Sequence, residues 1–133
     1  MKKRFELRLL SILCVVVLVF FALSTFALSA KKERVEELIN ADEGGSITLE
    51  DVTITFEPNI LTKDTKIFVI YFGDGEYQFG PEIKVNGTFT LYFADAPPGE
   101  SVVMTFKQGE WVELICMDGY VVTDHFSRYR GAW

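Results

Sequence analysis

From residue 46 onward, hydrophobic and polar residues alternate along much of the chain. Residues 47–49 and 52–56 follow this period of two, and residues 88–93 extend it, while residues 102–106 and 111–117 are predicted to pair through a turn at 107–110. Alternation of this kind is typical of strands with one buried face. Turn residues recur about every 8 to 12 positions. Residues 44–133 are therefore predicted to form about seven to eight short strands in an all-β fold. The expected architecture is a small antiparallel β-sandwich, with a partly open barrel as the alternative.

Two dipeptides predict tight turns between these strands. Asn86-Gly87 lies between two alternating segments, and both residue types tolerate positive φ, so it predicts a β-hairpin. Asp118-Gly119 predicts a second tight turn. Asn86-Gly87-Thr88 is also a glycosylation sequon, but the turn accounts for this triplet without a sugar.

Residues 31–43 have a different pattern, with Val35, Leu38 and Ile39 spaced among charged residues. This spacing predicts a short charged helix, and Gly44-Gly45 would end it. A charged linker without fixed structure is the alternative.

Residues 1–30 form an appendage with a basic head and a long apolar run that ends in small residues. This order is typical of an export signal peptide. The apolar run also reaches the length of about 20 residues that spans a bilayer as a helix, so a retained signal anchor is the second interpretation. Both predict an extracytoplasmic location for the remaining chain, either secreted or membrane-anchored through an uncleaved N-terminal segment.

The charge of residues 31–133 limits the possible partners, and the cysteine content limits the possible disulfides. Residues 1–30 contain four Lys and Arg and one Glu, which leaves 9 bases against 18 acids in residues 31–133, a net charge of −9. Nucleic acid is therefore not an expected partner, because binding it requires clustered bases. Cys14 falls in the apolar run, and Cys116 lies in an alternating segment as a predicted small buried hydrophobe, so no internal disulfide is expected.

Five segments in residues 44–133 follow one another in a specific order: Gly44–Leu49, Val52–Leu61, Tyr77–Glu82, Gly109–Leu114 and His125–Tyr129. In this order they resemble a ZU-five domain, the β-sandwich module of zonula-occludens proteins, netrin receptors and ankyrins, which has exported prokaryotic relatives. Asn59-Ile60 departs from the family's Pro-Gly-Ala type step. The resemblance implies an interaction or structural module, and it names no ligand.

The segment His125-Phe126-Ser127 carries one chemical possibility. In some adaptors that contain a ZU-five domain, a His-Phe-Ser motif breaks itself between Phe and Ser. The resemblance implies Ser127 as nucleophile on the Phe126 carbonyl and His125 as its base. In an extended strand His125 and Ser127 share one face while Phe126 points to the other. Backbone strain would be needed for cleavage, and the alternative is a closing strand in which Phe126 fills the core.

The remaining residue types predict no cofactor and no metal site. One His and one Cys cannot fill a tetrahedral zinc site, and no acidic loop has the spacing of a calcium loop. The sequence therefore predicts a non-catalytic structural or protein-interaction module of the cell envelope whose partner is an unknown protein or envelope polymer. Two alternatives are single-turnover autoproteolysis at Phe126-Ser127 and adhesin-like binding of an extracellular polymer. The second would use surface tyrosines: Tyr71, Tyr77, Tyr92 and Tyr120.

Overall fold

The computed structural model describes residues 32–133. The predicted signal peptide or anchor of residues 1–30 lies outside this range, as does Cys14. In the part of the chain that the structure describes, no helix has the length and hydrophobicity needed to cross a membrane.

The prediction of an all-β antiparallel fold is confirmed, with ten strands in place of seven or eight. The strands are β1 (Glu33–Ile39), β2 (Gly45–Leu49), β3 (Val52–Phe56), β4 (Thr65–Gly73), β5 (Glu76–Gly80), β6 (Phe89–Phe93), β7 (Glu100–Lys107), β8 (Glu110–Met117), β9 (Tyr120–Thr123) and β10 (Arg128–Gly131).

The ten strands belong to one hydrogen-bonded sheet in the order β1-β4-β5-β10-β7-β8-β9-β6-β3-β2. The two end strands of this order, β1 and β2, approach each other. An isolated bridge pairs Asn40, the residue after β1, with Gly44, the residue before β2. The sheet is therefore nearly closed, with one face of every strand turned towards a common interior.

Residues 31–43 were expected to form a short helix or a linker, and this is wrong for Glu33–Ile39, which form strand β1. This strand pairs antiparallel with β4, from Glu33 opposite Tyr71 to Ile39 opposite Thr65. Ile39 is buried while its neighbour Leu38 is 64% exposed, which is a period of two. Val35 and Ile39 lie four residues apart, a spacing that shares one face in a helix and in a strand alike. The pairing with β4 decides between the two.

The predicted hairpin at Asn86-Gly87 is also wrong. The strands before and after it, β5 and β6, have no ladder in common, because β5 pairs with β4 and β10 while β6 pairs with β3 and β9. The Asn86 N–H instead donates to the carbonyl of Ile60 at 2.8 Å. The dipeptide turns a loop that crosses to another part of the sheet. The Asp118-Gly119 turn does join neighbouring strands, β8 and β9.

The interior is filled by alternate residues of the strands, with aromatic rings at its centre. Cys116 is fully buried and unpaired, as expected for a small buried hydrophobe. The largest fully buried side chains are Tyr129, Phe56, Phe79, Phe89, Phe93, Ile47, Ile54, Ile67, Leu91, Val52, Val69 and Val103. Large aromatic areas of this kind help a domain of this size to fold without disulfides.

The alternation in β1 predicts unequal effects of two neighbouring truncations. Ile39→Ala should lower the free energy of unfolding by about 2–5 kcal/mol, because it empties a buried site. Leu38→Ala, the matched control at an exposed position, should change it by less than about 0.5 kcal/mol. Urea unfolding of both variants measures the difference. Equal losses at the two positions would contradict the strand.

Tyr77 predicts how stability depends on alkaline pH. Burial of its side chain raises the pKa of the phenol to about 12, although the hydroxyl accepts a hydrogen bond from the Asp51 N–H at 3.2 Å, which lowers the pKa. Between pH 10 and about 12 the unfolded state loses this proton while the folded state keeps it. The contribution of Tyr77 to the free energy of unfolding is therefore fully present below pH 10 and is lost as the pH rises towards 12.

Tyr77→Phe should reduce this alkaline loss, and Tyr120→Phe, which alters an exposed ring, is the matched control. Melting temperatures of the three proteins across this pH range measure the effect. The idea fails if Tyr77→Phe loses stability with pH as steeply as the parent protein.

Candidate functional site

The segment that holds His125, Phe126 and Ser127 connects β9 to β10. The strand order places β8 and β7 between those two strands, so the segment crosses the ends of both. Strand β10 begins at Arg128, and the three residues before it are not part of a strand. The expectation of one extended closing strand over His125–Tyr129 is therefore wrong for its first three residues. The crossing needs a change of direction that a regular strand does not allow.

Phe126 fixes this crossing to the interior. Its side chain is 4% exposed, and its ring stacks on Phe89 with 4.8 Å between the ring centres and on Phe56 with 6.0 Å. Aromatic pairs at such distances add to the free energy gained from burial alone. The structure thus places Phe126 in the core.

His125 belongs to a polar cluster with Thr105, Thr123 and Tyr129. Its Nε2 lies 3.2 Å from the Thr105 hydroxyl, and its Nδ1 lies 3.1 Å from the Thr123 hydroxyl. The Tyr129 hydroxyl donates to the carbonyl of His125 at 2.6 Å and lies 2.9 Å from the Thr123 hydroxyl. Both threonines are buried, so these contacts satisfy polar groups that water does not reach.

The placement of hydrogens follows from the acceptors. The Thr105 hydroxyl donates to the carbonyl of Arg128 at 3.1 Å, so its contact with Nε2 requires a proton on Nε2. The Tyr129 proton is used on the His125 carbonyl. The Thr123 proton can then serve either His125 Nδ1 or the Tyr129 oxygen.

Burial also raises the pKa of the Tyr129 phenol, while the hydroxyls of Thr123 and Thr105 act to lower it. Tyr129 therefore stays protonated, and it holds the His125 carbonyl through its own proton.

Ser127 lies at the junction of three strands. Its hydroxyl donates to the carbonyl of Phe106, at the end of β7, and its carbonyl accepts from the Phe79 N–H of β5 at 3.0 Å. Ser127 thereby links β5 and β7 just before β10 enters the space between them.

These contacts define what the three predicted residues can do in this conformation. Cleavage requires the Ser127 oxygen to attack the Phe126 carbonyl and a base to remove its proton. The Ser127 proton points to Phe106, and both nitrogens of His125 contact threonines. None of residues 125–127 has a positive φ. The structure brings the three residues together in sequence but directs their functional groups to different partners.

An open cleft of about 490 Å³ lies beside Ser127. Its walls include the side chains of Phe68, Phe106, Lys107 and Arg128. The cleft exists because β5 and β7 extend past the start of β10. Within residues 32–133, no three side chains that could bind a metal converge.

Sequence reasoning missed the polar partners of His125. Thr105 and Thr123 are fully or nearly fully buried, at positions where the strand pattern predicts an apolar residue. A threonine in line with the apolar positions, such as Thr105 two residues after Val103, was the available signal. The choice of His125 as its partner depends on the crossing between β9 and β10.

The four tyrosines considered as a binding platform do not form one surface. Tyr77 is buried and packs against Tyr71 with 4.8 Å between the ring centres. Tyr92 and Tyr120 pack against each other at 4.7 Å on strands β6 and β9.

No family model, curated protein or solved structure matches this chain. The resemblance to ZU-five domains therefore rests on the five sequence segments and stays a prediction.

We expect the bond between Phe126 and Ser127 to stay intact, because the Ser127 proton and both His125 nitrogens are bound elsewhere. The intact mass of the protein, recovered under denaturing conditions, should include Ser127–Trp133. Ser127→Ala should lower that mass only by the mass of one oxygen atom. A released seven-residue fragment, Ser127 to Trp133, that the Ser127→Ala variant lacks would establish autoproteolysis.

Proposed function

We propose that this protein is a non-catalytic module of the cell envelope that contacts other proteins through an exposed apolar surface. The observation that carries the proposal is a group of uncovered hydrophobic side chains on strands β8 and β9. Ile115 is 69% exposed, Val122 63%, Tyr120 54% and Met117 48%.

These side chains form one continuous surface. Met117 lies opposite Tyr120, Tyr120 lies opposite Tyr92, and Ile115 lies opposite Val102 in neighbouring strands. We call this surface the apolar face; it consists of Tyr92, Val102, Ile115, Met117, Tyr120 and Val122. Contiguous apolar surface on a folded protein is a common sign of a protein contact.

The chemistry of the apolar face favours a protein partner over a polymer of sugars. Ile115, Val122 and Met117 are aliphatic side chains that pack well against other apolar side chains but offer no hydrogen bonds to hydroxyl groups. The aromatic pair Tyr92 and Tyr120 occupies only one side of the face. Adhesin-like binding of a polymer is therefore the weaker alternative.

Single-turnover autoproteolysis at Phe126-Ser127 is also less well supported than a protein-contact module. The hydrogen bonds of His125 and Ser127 support a structural role, in which the segment ties β5, β7 and β9 together. The proposed location outside the cytoplasm rests on the composition of residues 1–30, as a signal peptide or an anchor. The proposed likeness to ZU-five domains fits an interaction module and adds no ligand.

Site-specific photo-crosslinking tests the proposal. A photoreactive phenylalanine analogue at position 115, in the apolar face, should capture a protein in intact cells of the source organism. The same analogue at position 48, an exposed site on β2, is the matched control and should capture little.

Two outcomes would overturn the proposal: no protein adduct at position 115, or equal adducts at both positions. Ile115→Ser tests whether the fold tolerates a change at position 115. Because the site is exposed, the free energy of unfolding should change by less than about 0.5 kcal/mol.

A further inference from the structure

The cleft beside Ser127 is a depression in the outer surface of the sheet, at a point where two residues place no side chain outside. Gly80, at the end of β5, has no side chain, and the Phe126 ring lies in the core. A side chain at position 80 would collide with the Phe68 ring, so the glycine lets this ring lie against the backbone of β5. We call this depression the Ser127 cleft. Its volume of about 490 Å³ falls in the range of about 300–1,000 Å³ that is typical of small-ligand sites.

Two sides of the Ser127 cleft are aromatic. Phe68 on β4 and Phe106 on β7 both line it, and β5 and β10 lie between these two strands. The two rings therefore stand on opposite sides of the cleft. Phe106 is 38% exposed, and its ring packs edge-on against Trp111 with 5.4 Å between the ring centres. An apolar group that enters between Phe68 and Phe106 would be removed from water on both sides, which favours its binding.

Four polar side chains with N–H donors also line the Ser127 cleft: Gln78, Lys107, Gln108 and Arg128. Among the lining residues, the side-chain hydrogen bonds within residues 32–133 are made by His125 and Ser127. The four donor side chains are therefore available to a ligand. Arg128 lies over the Phe72 ring at 5.1 Å, and a guanidinium in this position keeps its N–H donors at its edge.

The charge of the Ser127 cleft is opposite in sign to that of the domain. Two lining side chains are cations, Lys107 and Arg128, and one is a carboxylate, Glu82. Residues 31–133 as a whole have a net charge of −9. In the part of the chain that the structure describes, neither Lys107 nor Arg128 takes part in an ion pair. The cleft therefore has unneutralised positive charge for an anionic ligand.

Three further carboxylates lie on neighbouring strands but do not line the Ser127 cleft: Glu36, Glu76 and Glu110. Glu36 is paired with Arg34 at 2.8 Å. Glu76 lies opposite Arg130, and Glu110 lies opposite Lys107 without forming an ion pair with it. These carboxylates weaken the attraction of an anion towards Lys107 more than towards Arg128.

We propose that the Ser127 cleft binds a ligand in which a carboxylate is attached to an apolar group. Arg128 donates to both oxygens of the carboxylate, because the planar guanidinium matches this geometry. Lys107 adds a second positive charge. The apolar group lies between Phe68 and Phe106.

The two amides complete the site. Gln78 and Gln108 each offer a donor and an acceptor to the remaining polar atoms of the ligand. A free organic acid and the C-terminal residue of a peptide share this chemistry. The cleft has no residue in common with the apolar face, so this inference is independent of the proposed protein contact.

Equilibrium dialysis of the full chain in a neutral detergent against N-acetylphenylalanine tests the site. This probe combines a carboxylate with one aromatic ring, and its primary amide has the same ring without the charge. The amide should bind at least about tenfold more weakly, because it loses the charged hydrogen bonds. Dialysis of the detergent alone corrects for uptake of the probe by micelles. Equal binding of the acid and the amide would overturn the proposal.

Substitution of the two cations locates the carboxylate. Arg128→Gln should weaken binding of N-acetylphenylalanine about tenfold. Lys107→Gln should weaken it about twofold to fivefold, because an exposed point charge contributes less. Lys63→Gln, which removes an exposed lysine outside the cleft, is the matched control and should bind as the parent protein does. Unchanged binding by Arg128→Gln would contradict the proposal.

One substitution should strengthen binding. Glu82→Gln removes the carboxylate that lines the cleft, so affinity for the probe should rise about twofold to fivefold. A variant with a damaged fold could not give this result. Weaker binding by Glu82→Gln would count against the proposed arrangement of charge.

A peptide distinguishes the two sources of the ligand. An alanine tripeptide extended by a C-terminal phenylalanine should bind at least about tenfold more tightly than N-acetylphenylalanine if the site is built for the end of a peptide. Equal affinities indicate a free organic acid. Ile115→Ser should bind both probes as the parent protein does, so failure of the proposed protein contact would leave this result unaffected.

Discussion

The insertion of β10 between β5 and β7 is the contact on which the rest of the sheet depends. Tyr129 pairs with Tyr77 of β5 on one side and with Thr105 of β7 on the other. In the strand order, β10 is the link between β1, β4 and β5 and the remaining six strands. A strand near the end of the chain therefore joins two groups of strands that would otherwise share no ladder at this point.

The candidate site is a consequence of this insertion. To bring β10 into place, the chain must cross the ends of two strands, and the crossing segment needs anchors on both sides. Phe126 supplies the apolar anchor, and the cluster of His125 with two buried threonines supplies the polar one. Ser127 completes the join by contacting β5 and β7. The three residues that sequence reasoning selected for chemistry thus hold the crossing segment against the strands, which supports a structural role.

Charged and hydrophobic residues share the outer surface of the sheet. Lys32, Arg34, Arg128 and Arg130 are spread over the sequence, yet the sheet places them over aromatic rings on one surface. The uncovered aliphatic residues of β8 and β9 adjoin this surface, because Trp111, which lies under Arg130, is on β8 together with Ile115. The end strand β1 is rich in charged residues, a common protection of strands at the end of a sheet against unspecific pairing.

The sequence by itself determined the class of fold, because alternation of apolar and polar residues depends only on the geometry of a single strand. It also determined Phe126 and Cys116 as buried residues. Only the tertiary structure decided that Val35 and Ile39 belong to a strand, since their spacing fits both helix and strand until β4 provides hydrogen bonds. The same holds for Asn86-Gly87, whose turn connects strands that do not pair, and for Thr105 as a partner of His125. Each of these depends on residues far apart in the chain, and local pattern carries no information on such contacts.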